Sequence, residues 1–418
     1  MRSLRQPERD GVHRGSSAGF ARAVPLRVSL LFLAPAPPTP SMGGGSLRMF
    51  HMLRFLGERF DVDLVAPKLP GAEAAKQLLG GSCRTLTFVP SASRSGWRRP
   101  VRVAPYDKDA ALDQVVRSHL ASGAYSAVQV EKPAMLPYLP SKLSLPVVLD
   151  VWAYGATGMR RALRHERGVF RRARNLLRLI RLSAFDACCW PALSHLLVVS
   201  EIDRDRCARR RPRTDVVVVP NGVDCSAIRP GQFRNGGAPV LLFTGDMGFA
   251  PNVHAALILA TEIFPLVRRH YPDVELRLVG RNPDPRLLAL ADRGIRITGE
   301  VPEMLPHLHD ATVFVAPHLT GAGTRTKLLE AMAAGLPIVT TRIGIEGIEA
   351  SPNDEVVLAD GRDTMIAAVL RLLADPTERR RLGTAARRLV EQRYDWPRCL
   401  APLEHLHTEL LAAGACRC

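Results

Sequence analysis

The sequence predicts an α/β protein built from two Rossmann-like halves, each a mostly parallel sheet covered on both faces by helices. Three observations carry this prediction. Short apolar runs alternate with helical stretches along most of the chain. Glycine-bearing turns follow several of those runs, at the strand ends where such sheets place ligands. The 418 residues, 46% of them hydrophobic, exceed the roughly 250–300 at which one core stops growing, so two cores are expected.

The first series of strands reads LRVSLLFLA (26–34), FDVDLVAP (60–67), CRTLTFVP (83–90), YSAVQVE (125–131), LPVVLDV (145–151) and HLLVVSE (195–201). A second series opens at DVVVVPNGVD (215–224) and continues with PVLLFTGD (239–246), VELRLVGR (274–281), IRITGE (295–300), ATVFVAP (311–317) and LPIVTT (336–341). The halves join near Pro220, Asn221 and Gly222. Residues 1–22, rich in Arg, Gly and Ser, read as a disordered basic tail. An N-terminal domain over 23–218, a C-terminal domain over 219–395 and a helix over 396–418 packing back on the first domain complete the expected organisation.

The turns come next. Gly43, Gly44 and Gly45 follow the first run and precede Ser46, a good helix cap, with Leu47, Phe50 and Leu53 behind it. The triple glycine lacks the full GxGxxG dinucleotide pattern, so by itself it reads equally as a ligand loop or a mere turn. Gly245, Gly280 and Gly299 close three later strands in the same manner. The densest stretch is GAGTRTKLLEAMAAGLPIV, residues 321–339. Leu328, Leu329, Met332 and Ala333 recur at helical spacing, Gly335 and Pro337 mark the stop, and Ile338 to Thr340 form a strand. Arg325 and Lys327 then fall in the first turn, where each cation is disfavoured by about 0.3–1 kcal/mol. A bound anion reverses that sign, so the amides of Gly321 to Gly323 and the two cations make a phosphate cradle. The alternative is that both side chains snorkel to solvent around an ordinary turn.

Composition limits the partners. The net charge of +17 raises nucleic acid or an anionic membrane. Its densest stretch, RRALRHERGVFRRARNLLRLIR (160–181), is poor in aromatics, which argues against a base-stacking platform. Val169, Phe170, Leu176, Leu177, Ile180 and Leu182 instead suggest helices with one basic face. That face is either solvated, the favoured reading, or an anionic-lipid contact. The eight cysteines form no CxxC pair and have no histidine at zinc spacing, so they read as reduced thiols in the cytoplasm. Basic residues ahead of LRVSLLFLAPA imitate a signal peptide, but Arg27 interrupts the run and a glycine loop follows it. Nothing approaches 18 uninterrupted apolar residues, so no membrane span is expected. The DVD at 61–63 reads as a solvent-facing strand edge, and His307, His309 and His318 as structural or exposed, so no metal is expected.

Taken together, LFTGDMGFAPNVHA, LRLVGRNP, ITGEVPEMLPHLHDATVFVAPHLTGAGTRTKLLEAMAAGLPIVTT and VVVVPNGVD resemble the retaining glycosyltransferases of family four. Among these the chain is most similar to sugar transferases of bacterial exopolysaccharide and exosortase systems. The resemblance covers roughly residues 24–410 and is densest over 215–348. It implies the GT-B fold, with two parallel sheets facing across a cleft. It also implies a nucleotide-sugar donor, UDP- or GDP-linked, with no separate cofactor, and a glycan or lipid-linked glycan acceptor; the basic helices around Arg160 to Arg181 fit an acceptor carried on a lipid at the inner face of the membrane.

Residue by residue, the resemblance makes Glu330 the partner of the ribose hydroxyls and sets Arg325 and Lys327 against the diphosphate leaving group. Amides near Gly323 and Thr324 touch sugar or phosphate; Gly245 and Asp246 belong to the donor region; Gly280, Arg281, Glu300 and Val301 line the base pocket. Gly43 to Gly45 face the acceptor, and Asp150 is a further catalytic candidate. Three departures stand out. Ala322 replaces the first of two glutamates eight positions apart, Asp246 and Asn252 occupy a region where an arginine and a lysine are usual, and Trp152 stands where relatives carry a histidine. A catalytically weak or inactive nucleotide-binding scaffold is therefore one alternative to an active transferase, and a basic nucleic-acid-binding protein, suggested by charge alone, is the other.

Overall fold

Two parallel sheets organise the protein, seen here in a computed structural model that describes residues 28–90, 108–152, 155–166, 168–189, 193–210, 214–231, 237–291 and 294–415. The basic tail expected over 1–22 lies outside these residues. The first sheet contains β1 (Ser29–Leu33), β2 (Asp61–Lys68), β3 (Thr85–Pro90), β4 (Ala127–Glu131), β5 (Val147–Val151), β6 (His195–Val198) and β7 (Asp215–Val218), in the order β3-β2-β1-β4-β5-β6-β7. The second contains β8 (Val240–Thr244), β9 (Glu275–Val279), β10 (Ile295–Ile297), β11 (Val313–Ala316), β12 (Ile338–Thr340) and β13 (Val357–Leu358), in the order β10-β9-β8-β11-β12-β13.

The central strands are continuous apolar runs because helices cover both faces of each sheet, and β1, β5, β8 and β11 are buried along their whole length. In both sheets the strand order reverses beside the first strand, between β1 and β4 and again between β8 and β11. The crevices at these switch points are the natural ligand sites.

Several expectations need correcting. The run at 215 does not open the second series: β7 pairs with β6, His195 opposite Asp215, and closes the first sheet. β13 escapes the sequence pattern because it has two residues and pairs only with β12. Asp63 is not at a solvent edge. It is 3% exposed, meets Arg84 at 3.0 and 2.5 Å and accepts the Tyr125 hydroxyl at 2.6 Å. The apolar positions of the basic stretch lie on the helices Gly155–His165 and Val169–Cys189, but Val169, Phe170, Leu176, Leu177 and Ile180 point outward.

Among the described residues one helical run, Ala250–His270, is long and apolar enough to cross a membrane by length and composition. It is a core element: Ala255, Ala256, Leu259, Ile263, Phe264 and Val267 are buried, most of them wholly. The last helix, Trp396–Ala415, packs on the Gly44–Gly57 helix and β4 of the first sheet. His407 from that helix meets the Gln129 side-chain oxygen at 2.7 Å.

Arg48 fixes the connection between the sheets. Wholly buried, it meets Asp150 at 2.6 and 3.1 Å, and one of its guanidinium nitrogens donates to Val219 O at 2.8 Å and Pro220 O at 3.1 Å.

Candidate active site

The site is built where the two switch-point crevices meet. Behind β11, residues Gly321 to Lys327 form a loop that ends in the helix Thr326–Ala333, with Arg325 in an extended conformation at its N-cap. Among the described residues no acceptor pairs with the backbone amides from Gly321 through Lys327. Gly321 and Gly323 adopt φ of 99° and 80°, the left-handed region where a side chain is strained.

Three basic groups crowd this loop. Arg325 folds back on carbonyl oxygens, donating to Thr320 O at 3.0 Å, and burial pulls its guanidinium down to about 10. Lys327 Nζ donates to Asn252 Oδ1 at 2.8 Å and sits 4.4 Å from the centre of the Phe243 ring. Burial, then the neighbouring Arg325 charge, lowers the Lys327 amine to about 7. His318, 1% exposed, holds Nε2 3.3 Å from the same Asn252 oxygen, and its Nδ1 is buried with no partner among the described residues. Burial and the two cations hold its ring well below the ordinary imidazole range. Half-buried cations that form no ion pair among the described residues are costly, and the loop supplies amides and room for an anion.

Glu330 lies one turn along the same helix. Burial raises its carboxyl above the usual range, and no hydrogen-bond donor among the described residues engages it. Such a carboxylate suits a vicinal diol, which supplies two donors.

The ends of β8 and β9 close in on the cradle. Gly245 and Gly280 have φ of 144° and 147°. A Cβ on Gly280 would lie 1.8 Å from Gly245 O, and one on Gly245 would lie 2.4 Å from Lys327 Nζ. The Asp246 carboxylate accepts Arg281 Nε at 3.1 Å and the Gly248 amide at 3.0 Å. The Gly299 carbonyl accepts the Gly280 amide at 3.1 Å, which brings half-buried Val301 and exposed Glu300 to the rim.

From the first sheet, the turn after β1 reaches across. Arg281 donates to Ser41 O at 3.3 Å, and a Cβ on Gly43 would sit 3.3 Å from the same guanidinium. A Cβ on Gly44 would meet the Thr326 hydroxyl at 3.1 Å. Gly43, Gly44, Gly323, Arg281, Arg325 and Lys327 are thus brought into one cleft. Thr324 is present differently: its hydroxyl faces Val199 O and Gly347 O, both at 3.4 Å, so only its backbone remains for a ligand.

Asp150 is not part of this site. It is wholly buried and tied to Arg48, so its role is to hold the first domain to the chain crossing at Val219 and Pro220. Trp152, two residues on, is half-buried at the cleft. Its ring lies where a Cβ on Gly45 would be, 1.8 Å away, and its indole N–H donates to Glu131 at 2.9 Å. Lys132 places Nζ 4.0 Å from the centre of that ring, from a backbone with φ of 70°.

Sequence reasoning missed Lys132, the placement of His318, and Arg161. Arg161 donates to Gly321 O at 2.9 Å and pairs with Glu346, which also accepts Arg206 at 2.6 Å. Lys132 and His318 are lone residues with no spacing signal, and nothing in the spacing of the basic stretch marks Arg161 out from its neighbours; the topology brings all three to the cleft.

Two facing Rossmann-like sheets with an anion cradle at the switch point of the second define the GT-B architecture. Solved structures share it: sucrose-phosphate synthase from Thermosynechococcus elongatus superposes with a TM-score of 0.71 at 15% identity, over 93% of this chain and 100% of that one. An Anabaena protein whose crystal structure holds UDP and glucose does so at 0.64 and 14%, over 91% and 100%. More particularly, residues 238–375 match the family described as glycosyl transferases group 1. The phosphatidyl-myo-inositol mannosyltransferase of Mycolicibacterium smegmatis is 30% identical over 212 residues, 48% of this chain and 54% of that protein. A glycogen synthase of Mycobacterium tuberculosis is 32% identical over 205 residues, 44% and 45%. The chain spans about half the length of these curated relatives.

Proposed function

We propose that the chain is a retaining, metal-independent hexosyltransferase that moves a sugar from a UDP- or GDP-sugar to a hydroxyl of a glycan or lipid-linked glycan, in polysaccharide biosynthesis on the cytoplasmic side of a membrane. The observation that carries this reading is the cradle: unpaired amides from Gly321 to Lys327 beside Arg325 and Lys327, with the uncommitted Glu330 carboxylate one turn away.

In this reading the diphosphate lies on the amides and cations, and Glu330 receives the ribose diol. The bond between the anomeric carbon and the β-phosphate oxygen breaks, its electron pair leaving with the phosphate. Arg325 and Lys327 bear the growing charge, so they act more strongly in the transition state than in the ground state. The acceptor oxygen bonds to the same face of the anomeric carbon and its proton passes to the departing phosphate oxygen, which balances the step. The burial of Asp150 and Glu131 supports a route without an enzyme nucleophile, because neither carboxylate reaches the cleft.

A second reading is favoured by the Trp152 ring lying against Gly45 and by Ala322: a scaffold that binds nucleotide and transfers nothing. One panel separates the two. Thermal unfolding is followed with UDP, GDP, ADP and their sugars, and each ligand that stabilises is then assayed for donor hydrolysis and transfer. At 100 times its dissociation constant a ligand adds about 2.7 kcal/mol. Stabilisation with turnover supports the transferase, stabilisation without it the scaffold, and no stabilisation by any nucleotide removes both.

A further inference from the structure

Away from the cleft, the Val169–Cys189 helix carries five of the ten large apolar side chains that are exposed among the described residues: Val169, Phe170, Leu176, Leu177 and Ile180. Phe170 is 92% exposed and Val169 80%. Their spacing is not random. Val169, Ala173, Leu176 and Ile180 follow one another at four, three and four residues, a single stripe along the helix, and Phe170 and Leu177 form the row beside it.

Arginine surrounds this ridge. Arg171, Arg172 and Arg174 are exposed, Arg178 and Arg181 flank the ridge further along, and no acidic residue occurs from Val169 to Phe185. Nucleic acid would use the cations and leave an aliphatic ridge in water. An anionic bilayer surface takes both: the apolar side chains enter the boundary between headgroups and acyl chains, and the guanidinium groups meet lipid phosphates.

The ridge also has a fixed relation to the cleft. The neighbouring helix Gly155–His165 packs against the Val169–Cys189 helix, leaving the ridge itself exposed. From that neighbour Arg161 bonds Gly321 O and Glu346, and a Cβ on Gly158 would lie 3.7 Å from Ala322. One helix therefore separates the ridge from the anion cradle. We propose that the Val169–Cys189 helix docks ridge-first on an anionic lipid surface and holds the mouth of the cleft at the bilayer. The docking stands on the ridge and its arginines and is independent of which donor the cradle takes.

The test is sedimentation of the full chain with vesicles of phosphatidylcholine alone or with about a third phosphatidylglycerol, at low salt and at about 0.3 M, where screening is strong. The protein is expected to pellet with the anionic vesicles, weakly with the neutral ones, and less at the higher salt. The double variant Phe170→Asp/Leu177→Asp should lower partitioning at least about tenfold. The triple variant Arg171→Gln/Arg172→Gln/Arg174→Gln should lower it by about fivefold per arginine removed and erase the preference for anionic lipid. All these side chains are exposed, so melting temperature and the nucleotide-induced shift should stay as in the unaltered protein, which separates this proposal from the donor reading. Failure to pellet with either vesicle overturns it, as does undiminished binding of the Phe170/Leu177 variant. A dimer in light scattering that this variant converts to monomer overturns it too, and assigns the ridge to a second copy of the chain.

Discussion

Lys327 Nζ lies 2.8 Å from the side-chain oxygen of Asn252, a neutral amide, and no carboxylate among the described residues forms an ion pair with it. Burial first, and the Arg325 charge beside it second, draw the pKa of the amine down to about 7. A diphosphate on the amides of Gly321 to Lys327 would reverse that balance and restore the proton.

The consequence for pH follows from the sign. Between about 7 and the ordinary lysine value near 10.4, the unfolded chain holds a proton on Lys327 that the folded chain lacks, so this residue makes stability rise with pH across that window. Ligand binding has the opposite slope. Above pH 7, UDP should bind with uptake of up to about one proton and weaken toward tenfold per pH unit. Calorimetry at pH 8.5 in two buffers of different ionisation enthalpy reads the uptake directly. Lys327→Met should abolish the uptake and flatten the profile; an unchanged profile in that variant would place the titrating group elsewhere.

Glu330 has no donor among the described residues, so its replacement should cost little stability and much affinity. Glu330→Ala removes two charge-assisted hydrogen bonds to a diol, each worth about 1.5–3 kcal/mol, and should weaken UDP by at least about tenfold. Inorganic pyrophosphate, which lacks the diol, should bind the variant as it binds the unaltered protein. Titration calorimetry with both ligands distinguishes this from a general collapse of the pocket, in which both would weaken.

How much of this was legible in the sequence depends on how local each feature is. Arg325, Lys327 and Glu330 fall within two turns of one helix, so their juxtaposition can be read from spacing alone. The buried strands announce themselves because helices on both faces leave no polar alternation. Which sheet a strand joins is a different question: β7 is as apolar as its neighbours, and only pairing with β6 assigns it. Asp150 and Asp63 look like cleft or edge carboxylates, yet each is neutralised by an arginine far away in sequence, Arg48 or Arg84. The apolar stripe of the Val169–Cys189 helix is periodic, but periodicity does not say whether anything covers it. His318 and Lys132 reach the cleft only because β4 and β11 flank the two switch points.

The glycines at the second switch point offer a paired test of close approach. Gly280→Ala places a methyl group 1.8 Å from the Gly245 carbonyl oxygen, backbone that has nowhere to move, at a φ of 147°. A cost of at least about 3 kcal/mol is expected, with clash and strain acting together. Gly299→Ala also adopts a positive φ, 72°, but meets nothing within 4 Å, so only the conformational cost of about 1 kcal/mol applies. Urea unfolding of both variants measures the difference. Equal losses would mean that the approach of β8 and β9 is looser than 1.8 Å implies.

Asp150 separates a structural from a chemical role most sharply. Its carboxylate and the Arg48 guanidinium are both wholly buried at 2.6 Å, and Arg48 also satisfies Val219 O and Pro220 O. Removing one partner of such a pair leaves an uncompensated buried charge, so Asp150→Asn and Arg48→Met should each cost about 3–5 kcal/mol. The double variant should cost clearly less than the two together, because no lone charge remains, though the carbonyls of Val219 and Pro220 still lose a donor. Donor turnover per folded molecule, measured at low temperature where Asp150→Asn stays folded, should then stay within a few-fold of the unaltered protein. A catalytic Asp150 predicts the reverse: near-native unfolding curves, additive losses in the double variant, and turnover down by orders of magnitude in the single one. Urea unfolding together with single-temperature turnover decides between them, and the 0% exposure of both side chains favours the first outcome.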